Sequence, residues 1–335
     1  MQKFIISLSI IFFSCDTNIN QSEYINDQWL FVANEGNLGA SNGSVTMIDG
    51  LGNVYETEAL GDVVQSLEVW KNKLIVLVNN SHTIKFFDIT SEGLSMPGIE
   101  VSTDGSGPRE MVIVNDKIYF TNSNSSDVKV FNLFNYNIES SISVGPYPEG
   151  IIYHNNFLWV ANSGSNTISK ININNHNVTE LEVGEAPQYL ATLNDDIYVS
   201  STFYDEDWNA YHSSSKITEL DIIINNYGLG LPCGGSILNY QNKIYRSYLN
   251  GIAPLNDDLE ILSLDKIQSS QTDLDLYHAE IINGKIWLTF TNFTHTNLVI
   301  ELDSSGNELN VYESGIMPGD ISYWHSDNCS CSEGH

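Results

Sequence analysis

The chain has 335 residues, 13 of them basic and 42 acidic, for a net charge of −29. So acidic a surface repels phosphate backbones and anionic lipid headgroups, which excludes nucleic acid as a partner. With 41% hydrophobic residues and four cysteines, a chain of this length buries about 75% of its unfolded surface and needs no disulfide scaffold. The charge itself has two readings, attraction of cations or simple solubility. Salt screens it beyond about 8 Å, so diffuse charge alone selects no ligand.

In chain order, Lys3 precedes an apolar run over residues 4–13, then Ser14-Cys15. A basic start, a short apolar stretch and a small residue before the break describe a secretory signal. The run is too short to span a bilayer, which takes roughly 20 apolar residues. Phe12-Phe13-Ser14-Cys15 resembles the lipobox of bacterial lipoproteins, which implies lipidation of Cys15. The expectation is an exported protein, lipid-anchored to the outer membrane at the cell surface or periplasmic face. Residues 1–15 are then the signal ending at the lipobox Cys, and 16–28 a polar tether.

From Trp29 onward one phrase recurs: a tight turn, an aliphatic residue, a large apolar or aromatic one, then more strand formers. Its copies include Trp29-Leu30-Phe31-Val32-Ala33-Asn34, Lys117-Ile118-Tyr119-Phe120 and Phe157-Leu158-Trp159-Val160-Ala161-Asn162. The aliphatic anchors are Leu30, Leu74, Ile118, Leu158, Ile197, Ile244 and Ile286, separated by 44, 44, 40, 39, 47 and 42 residues. A period of this size, with several short Ile-, Val- and Tyr-rich strands alternating at period two, is the signature of propeller blades and excludes helical solenoids. In the third copy the predicted strands cover residues 110–114, 117–121, 127–133 and 138–144.

The ends of the pattern predict closure. The body enters at a second strand, residues 29–34, and finishes with an unpartnered inner strand, Asp320-Ile321-Ser322-Tyr323-Trp324. Pairing the two completes one blade and removes open sheet edges. The reading is all-β: a single, monomeric seven-bladed β-propeller over residues 29–324, four antiparallel strands per blade, closed by the C-terminal strand joining the N-terminal blade. Residues 325–335 form a flexible His- and Cys-containing tail.

Val144-Gly145-Pro146-Tyr147-Pro148-Glu149-Gly150-Ile151, with Leu158-Trp159-Val160-Ala161-Asn162-Ser163 and Asn166-Thr167-Ile168-Ser169-Lys170-Ile171, resembles the repeats of surface-layer-type YVTN propellers. Val32-Ala33-Asn34-Glu35-Gly36-Asn37, with Gly61-Asp62 and Gly107-Pro108-Arg109, resembles the cell-surface vitamin B12-binding propeller lipoproteins. That second resemblance implies seven blades, a corrinoid ligand and a TonB-dependent outer-membrane transporter as partner.

Propeller ligands meet one loop face or the central channel. Repeat alignment places Gln65, Arg109, Glu149, Gln188, Gly235, His278 and Asp320 at the starts of the inner strands, around one funnel. Their variety points to a specific polar site. The alternative is a ring of channel residues pairing with one another, Arg109 with Glu149 for instance. The longest spacing marks an insertion carrying Tyr204, Trp208 and Tyr211 beside acids, suited to closing over a flat ligand. Its bland counterpart is an acidic hairpin packed on a neighbour. Glu35, Asn37, His82 and His295 fall on the same face.

The tail gathers His325, Cys329, Cys331 and His335, a thiolate and imidazole set suited to zinc or copper. Cys-x-Cys is not the spacing of a structural zinc knuckle, so an unstructured tail is the alternative. Cys233 stands alone as a buried or an exposed thiol. No His-Glu-x-x-His, Gly-x-Ser-x-Gly or phosphate-binding Gly-rich loop occurs. No cofactor is required, and the expectation is a ligand-binding platform rather than an enzyme. Metal handling through the tail and an envelope scaffold gripping protein or glycan are the other readings.

Overall fold

The computed structural model describes residues 26–229 and 235–326. The signal with Cys15, most of the tether, Cys233, and the tail residues Cys329, Cys331 and His335 lie outside the described residues. Among those described, the strands form seven antiparallel sheets, and no helix is long and apolar enough to cross a membrane.

The sheets follow the repeat. Blade 1 is ordered Pro318–His325, Gln28–Asn34, Ser44–Asp49, Val54–Glu56, so the last strand is innermost beside the first. Its register sets Trp29 opposite Trp324 and Val32 opposite Ile321. The predicted closure is therefore present. Blade 3 runs Pro108–Val114, Lys117–Asn122, Asp127–Asn132, Asn137–Ser143, within two residues of the predicted bounds. Blades 4, 5 and 7 repeat this order from inner strands Pro148–His154, Pro187–Leu193 and Asp275–Ile282. Blade 6 is built on the short inner strand Ile237–Tyr240. Blade 2 starts at Val64–Trp70, and its third strand, Thr83–Thr90, pairs with two outer pieces, Gly93–Leu94 and Ile99–Ser102.

Period-two alternation sends successive side chains of each second strand to opposite neighbours. Phe31 and Ala33 pack with Leu67, Leu74 and Val76 of blade 2, whereas Leu30 and Val32 pack with Trp287 and Val299 of blade 7. The buried apolar residues form seven clusters, one per blade interface. No blade has a core of its own, which is why the ring must close to be stable.

The Gly-x-x-Pro turns have a steric origin. A Cβ at Gly145 would come within 2.5 Å of the Asn162 side chain, and one at Gly315 within 2.6 Å of Asn34. Those buried asparagines end their second strands and tie down the third: Asn34 Nδ2 donates to Ser44 Oγ and Thr46 Oγ1. Only glycine lets the entering chain pass so close.

Candidate binding site in the central channel

Six of the seven inner strands carry a β-bulge where they enter the channel. In blade 2, Val64 faces Val78 and Ser66 faces Leu77, so Gln65 is the extra residue. Gln188, Tyr277 and Gly319 take the same place in blades 5, 7 and 1. A bulged residue owes no ladder pairing and its side chain is re-aimed. With Arg109 and Glu149 in the bulges of blades 3 and 4, and Gly235 at the same level before the unbulged inner strand of blade 6, the mouth ring is Gln65, Arg109, Glu149, Gln188, Gly235, Tyr277 and Gly319.

This corrects the sequence alignment at two blades. His278 and Asp320 do not share the ring of Gln65 and Arg109; they stand one residue deeper, level with Ser66, Glu110 and Tyr189. The aligned repeats lacked the Gly-Pro turn cue at blade 7. A one-residue slip changes which way a strand side chain points.

In the mouth, Arg109 Nε donates to Glu149 Oε2 at 2.6 Å and its Nη1 to Gln65 Oε1 at 2.7 Å. The internal pairing weighed from sequence is therefore real, and it spans three blades. Glu35 leaves the end of the second strand of blade 1 and enters the channel: a Cβ at Gly319 would fall 2.7 Å from Glu35 Oε1. Burial raises the Glu35 carboxyl above its ordinary value, partly offset by a hydrogen bond with Tyr277. Gln188 leans toward Gly235, where a Cβ would meet nothing closer than Thr202 Oγ1 at 3.4 Å. Thr121 Oγ1 donates to Glu149 O, and Thr289 Oγ1 to Pro318 O, each at 2.6 Å. These hydroxyls tie successive inner strands together at the height of the ring.

Below the mouth the channel is acidic. One cavity of about 210 Å³ is bounded by Glu110, Tyr189, Ser236, His278, Glu280 and Asp320. A second, of about 270 Å³, meets it at Glu110, Glu280 and Asp320 and adds Ser66 and Glu68. Asp320 is held by the backbone N–H groups of Leu67, at 2.6 Å, and Ile321, at 2.8 Å. His278 Nε2 lies 3.3 Å from Glu280 Oε2, while its buried Nδ1 has no hydrogen-bond partner.

Crowding shows in the proton affinities. Burial, then the charges of Asp320 and Glu280, push Glu68 up to about 8. Burial and Glu280 push Asp320 up to about 7. Glu110 is raised by burial and by Asp320. Burial alone lowers the His278 imidazole, but Glu280, Asp320 and Glu35 together carry it above its ordinary value. Glu68, Glu110, Glu280, Tyr189 and Tyr277 were missed in the sequence. The available signal was an ionisable residue inside an otherwise apolar inner strand, as in Leu67-Glu68-Val69 and Ala279-Glu280-Ile281.

Other candidates lie elsewhere. His82 is spent on structure: its Nδ1 accepts from Gly107 N–H at 3.1 Å. Asn37 is exposed, its N–H donating to Asn42. His295 is exposed in the turn before Asn297–Leu302, its Nδ1 3.0 Å from Thr294 Oγ1. The blade 5 insertion is an extended hairpin rather than an open loop, pairing out to Tyr204 opposite Ala210. Tyr204 and Trp208 pack with centroids 6.3 Å apart, Trp208 being 82% exposed. Tyr211 lies against Phe203 beside a pocket of about 410 Å³. His325 sits at the far end of its inner strand, 3.8 Å from Asp27.

The molecule is thus a seven-bladed β-propeller with a polar mouth above an acidic channel. No protein-family model matches the chain, and no curated protein matches it in sequence. Solved structures are similar in fold. A putative 6-phosphogluconolactonase from Bacteroides fragilis superposes with a TM-score of 0.60 at 13% identity, over 89% of this chain and 98% of that one. A hypothetical selenium-binding protein from Sulfolobus tokodaii gives 0.61 at 9% identity, over 90% and 93%. Apo AztD from Citrobacter koseri gives 0.52 at 13% identity, over 90% and 98%. At such distances the likeness establishes architecture, and the architecture hosts many chemistries.

Proposed function

We propose that this chain is an exported binding protein, not an enzyme, and that it takes a polar ligand at the mouth of its channel. The observation that carries the reading is the mouth ring: five blades present five side chains of four kinds, Gln65, Arg109, Glu149, Gln188 and Tyr277, toward one opening. The two remaining blades carry Gly319 and Gly235. One gap is filled by Glu35 and the other stays open beside Gln188.

The charges narrow the ligand class. Arg109 is already balanced by Glu149, and burial favours the neutral form of Glu35. A neutral ligand rich in amide or hydroxyl groups would exchange hydrogen bonds with Gln65, Gln188 and Tyr277 without burying a new charge. A corrinoid is the instance suggested by the Asn34-Glu35-Gly36-Asn37 phrase, with the exposed Tyr204–Trp208 pair as a second, flat contact. The lipobox-like Cys15 supports a lipid anchor, and the same resemblance supports a TonB-dependent transporter as partner.

Calorimetry of the purified protein with cyanocobalamin tests the corrinoid reading. Saturable heat, weakened at least tenfold by Gln188→Ala and by Arg109→Gln, supports it. No heat at high micromolar ligand eliminates it. Loss of the protein from the membrane fraction on Cys15→Ser tests the anchor.

A further inference from the structure

The chamber beneath the mouth has different chemistry and rests on different residues. We propose that His278, Glu280 and Asp320 form a binding site for one first-row divalent cation of the zinc class. The proposal does not depend on the mouth ligand: the three side chains stand below the ring and leave Gln65, Gln188 and Arg109 unused.

Geometry comes first. His278 and Glu280 are two apart on the inner strand of blade 7, so they project from the same side of it. Asp320 stands on the neighbouring inner strand of blade 1. One ligand atom from each lies within 4.8 Å of the other two. Three donors so spaced surround a point at metal–ligand reach from all of them, about 2.0–2.2 Å for zinc with imidazole or carboxylate, after small rotations. The adjoining cavity leaves the fourth position to water.

The second observation concerns the imidazole. His278 is 8% exposed, borders the 210 Å³ cavity, and has a buried ring nitrogen with no hydrogen-bond partner. A simple ion pair with Glu280 would need a buried imidazolium with both N–H groups satisfied, and one is not. A neutral ring that gives the lone pair of that unpartnered Nδ1 to a metal keeps only its Nε2–H, which Glu280 can accept.

Charge is the third. Glu68, Glu110, Glu280 and Asp320 share the chamber, and the guanidinium nearest to them is committed to Glu149 and Gln65. Buried carboxylates without a cation are costly. A divalent ion at Glu280 and Asp320 would supply the missing charge, with Glu68 and Glu110 around it. The imidazole selects the metal: nitrogen with two carboxylate oxygens suits zinc or its neighbours over magnesium and calcium, which take oxygen-only sets.

The experiment uses the full chain in a background of His325→Ala, Cys329→Ser, Cys331→Ser and His335→Ala, so that the tail contributes no ligand. Zinc is titrated calorimetrically into chelator-treated protein, and cobalt(II) binding is followed by absorption. We expect one equivalent of zinc, a cobalt spectrum with no thiolate charge-transfer band, and at least tenfold weaker binding in Glu280→Gln and Asp320→Asn. The exposed His176→Ala should bind as the parent does. Folding of each variant is checked by circular dichroism. Should a variant fail to fold, saturating zinc must still raise the parent's Tm, and excess magnesium must not compete. Absence of one-to-one uptake, or uptake indifferent to Glu280→Gln and Asp320→Asn, would overturn the site. Binding seen only with the tail intact would move it to the tail.

Discussion

Glu35 occupies the place that a side chain at position 319 would take. A Cβ there would stand 2.7 Å from Glu35 Oε1 and 3.4 Å from Tyr277 Cε1. The glycine is thus not serving a turn; it admits a carboxylate from the adjacent strand into the mouth ring. Because the atom in the way is the far end of a flexible side chain, Gly319→Ala should shift Glu35 rather than unfold the protein. We expect a stability change below about 1 kcal/mol by urea unfolding, with altered ligand binding at the mouth. A large loss of stability would show that Glu35 cannot move.

The chamber should make the metal-free protein less stable as pH rises. In the folded state Glu68 titrates at about 8, against an ordinary 4.5. Asp320 and Glu280 face it from blades 1 and 7 and add to the burial effect; the Val69 N–H acts the other way. Between the two values the folded chain holds a proton that the unfolded chain has released, so stability falls through this window and levels off above it. With chelator present, Tm near pH 9 should lie a few degrees below Tm near pH 5, and Glu68→Gln should flatten the slope. A Tm that rises over this range contradicts the account.

Ring closure should be worth a large fraction of total stability. Trp324 is 5% exposed, packs at the interface of blades 1 and 2, and donates through Nε1 to Asn72 Oδ1 at 3.2 Å. Truncating it opens a cavity in the blade that joins the two ends. Trp324→Ala should cost about 3–5 kcal/mol in denaturant unfolding. Trp208→Ala, at 82% exposure, should change stability by less than about 0.5 kcal/mol.

Arg246 breaks the pattern of its neighbours. At the matching place on the second strand the other six blades carry Val32, Val76, Phe120, Val160, Val199 and Leu288. Arg246 is 1% exposed and held by Ser213 O, Ser214 Oγ and the Tyr227 ring, while its Nε lacks a partner. Burial lowers its pKa to about 10. Arg246→Ala leaves both a void and an orphaned carbonyl, and should cost more than about 3 kcal/mol. Arg246→Met refills the volume but removes the same donor to Ser213 O, and should cost about 1–3 kcal/mol, less than Arg246→Ala. Equal losses in the two would mean that the hydrogen bonds, not the volume, hold the interface.

The blade pattern was legible because its cause is local. Each anchor, from Leu30 to Ile286, is buried by the same alternation, and each interface asks for the same apolar pair of faces. The site was legible only in part. Gln65, Arg109 and Glu149 follow a recognisable turn, so aligning the turns located them. The inner strand of blade 7 offers no such turn, and His278 was placed one residue too high. Glu68, Glu110 and Glu280 sit in strands that read as core.

The sequence by itself determined the number of blades, the period, and the closure of the last strand on the first, because these depend on spacing along the chain. Only the tertiary structure decided which side chains share the channel and at what depth. A bulge of one residue reverses side-chain direction, and a glycine in one blade admits a carboxylate from the neighbouring strand. Neither effect leaves a periodic trace, since both depend on how adjacent strands stack across space.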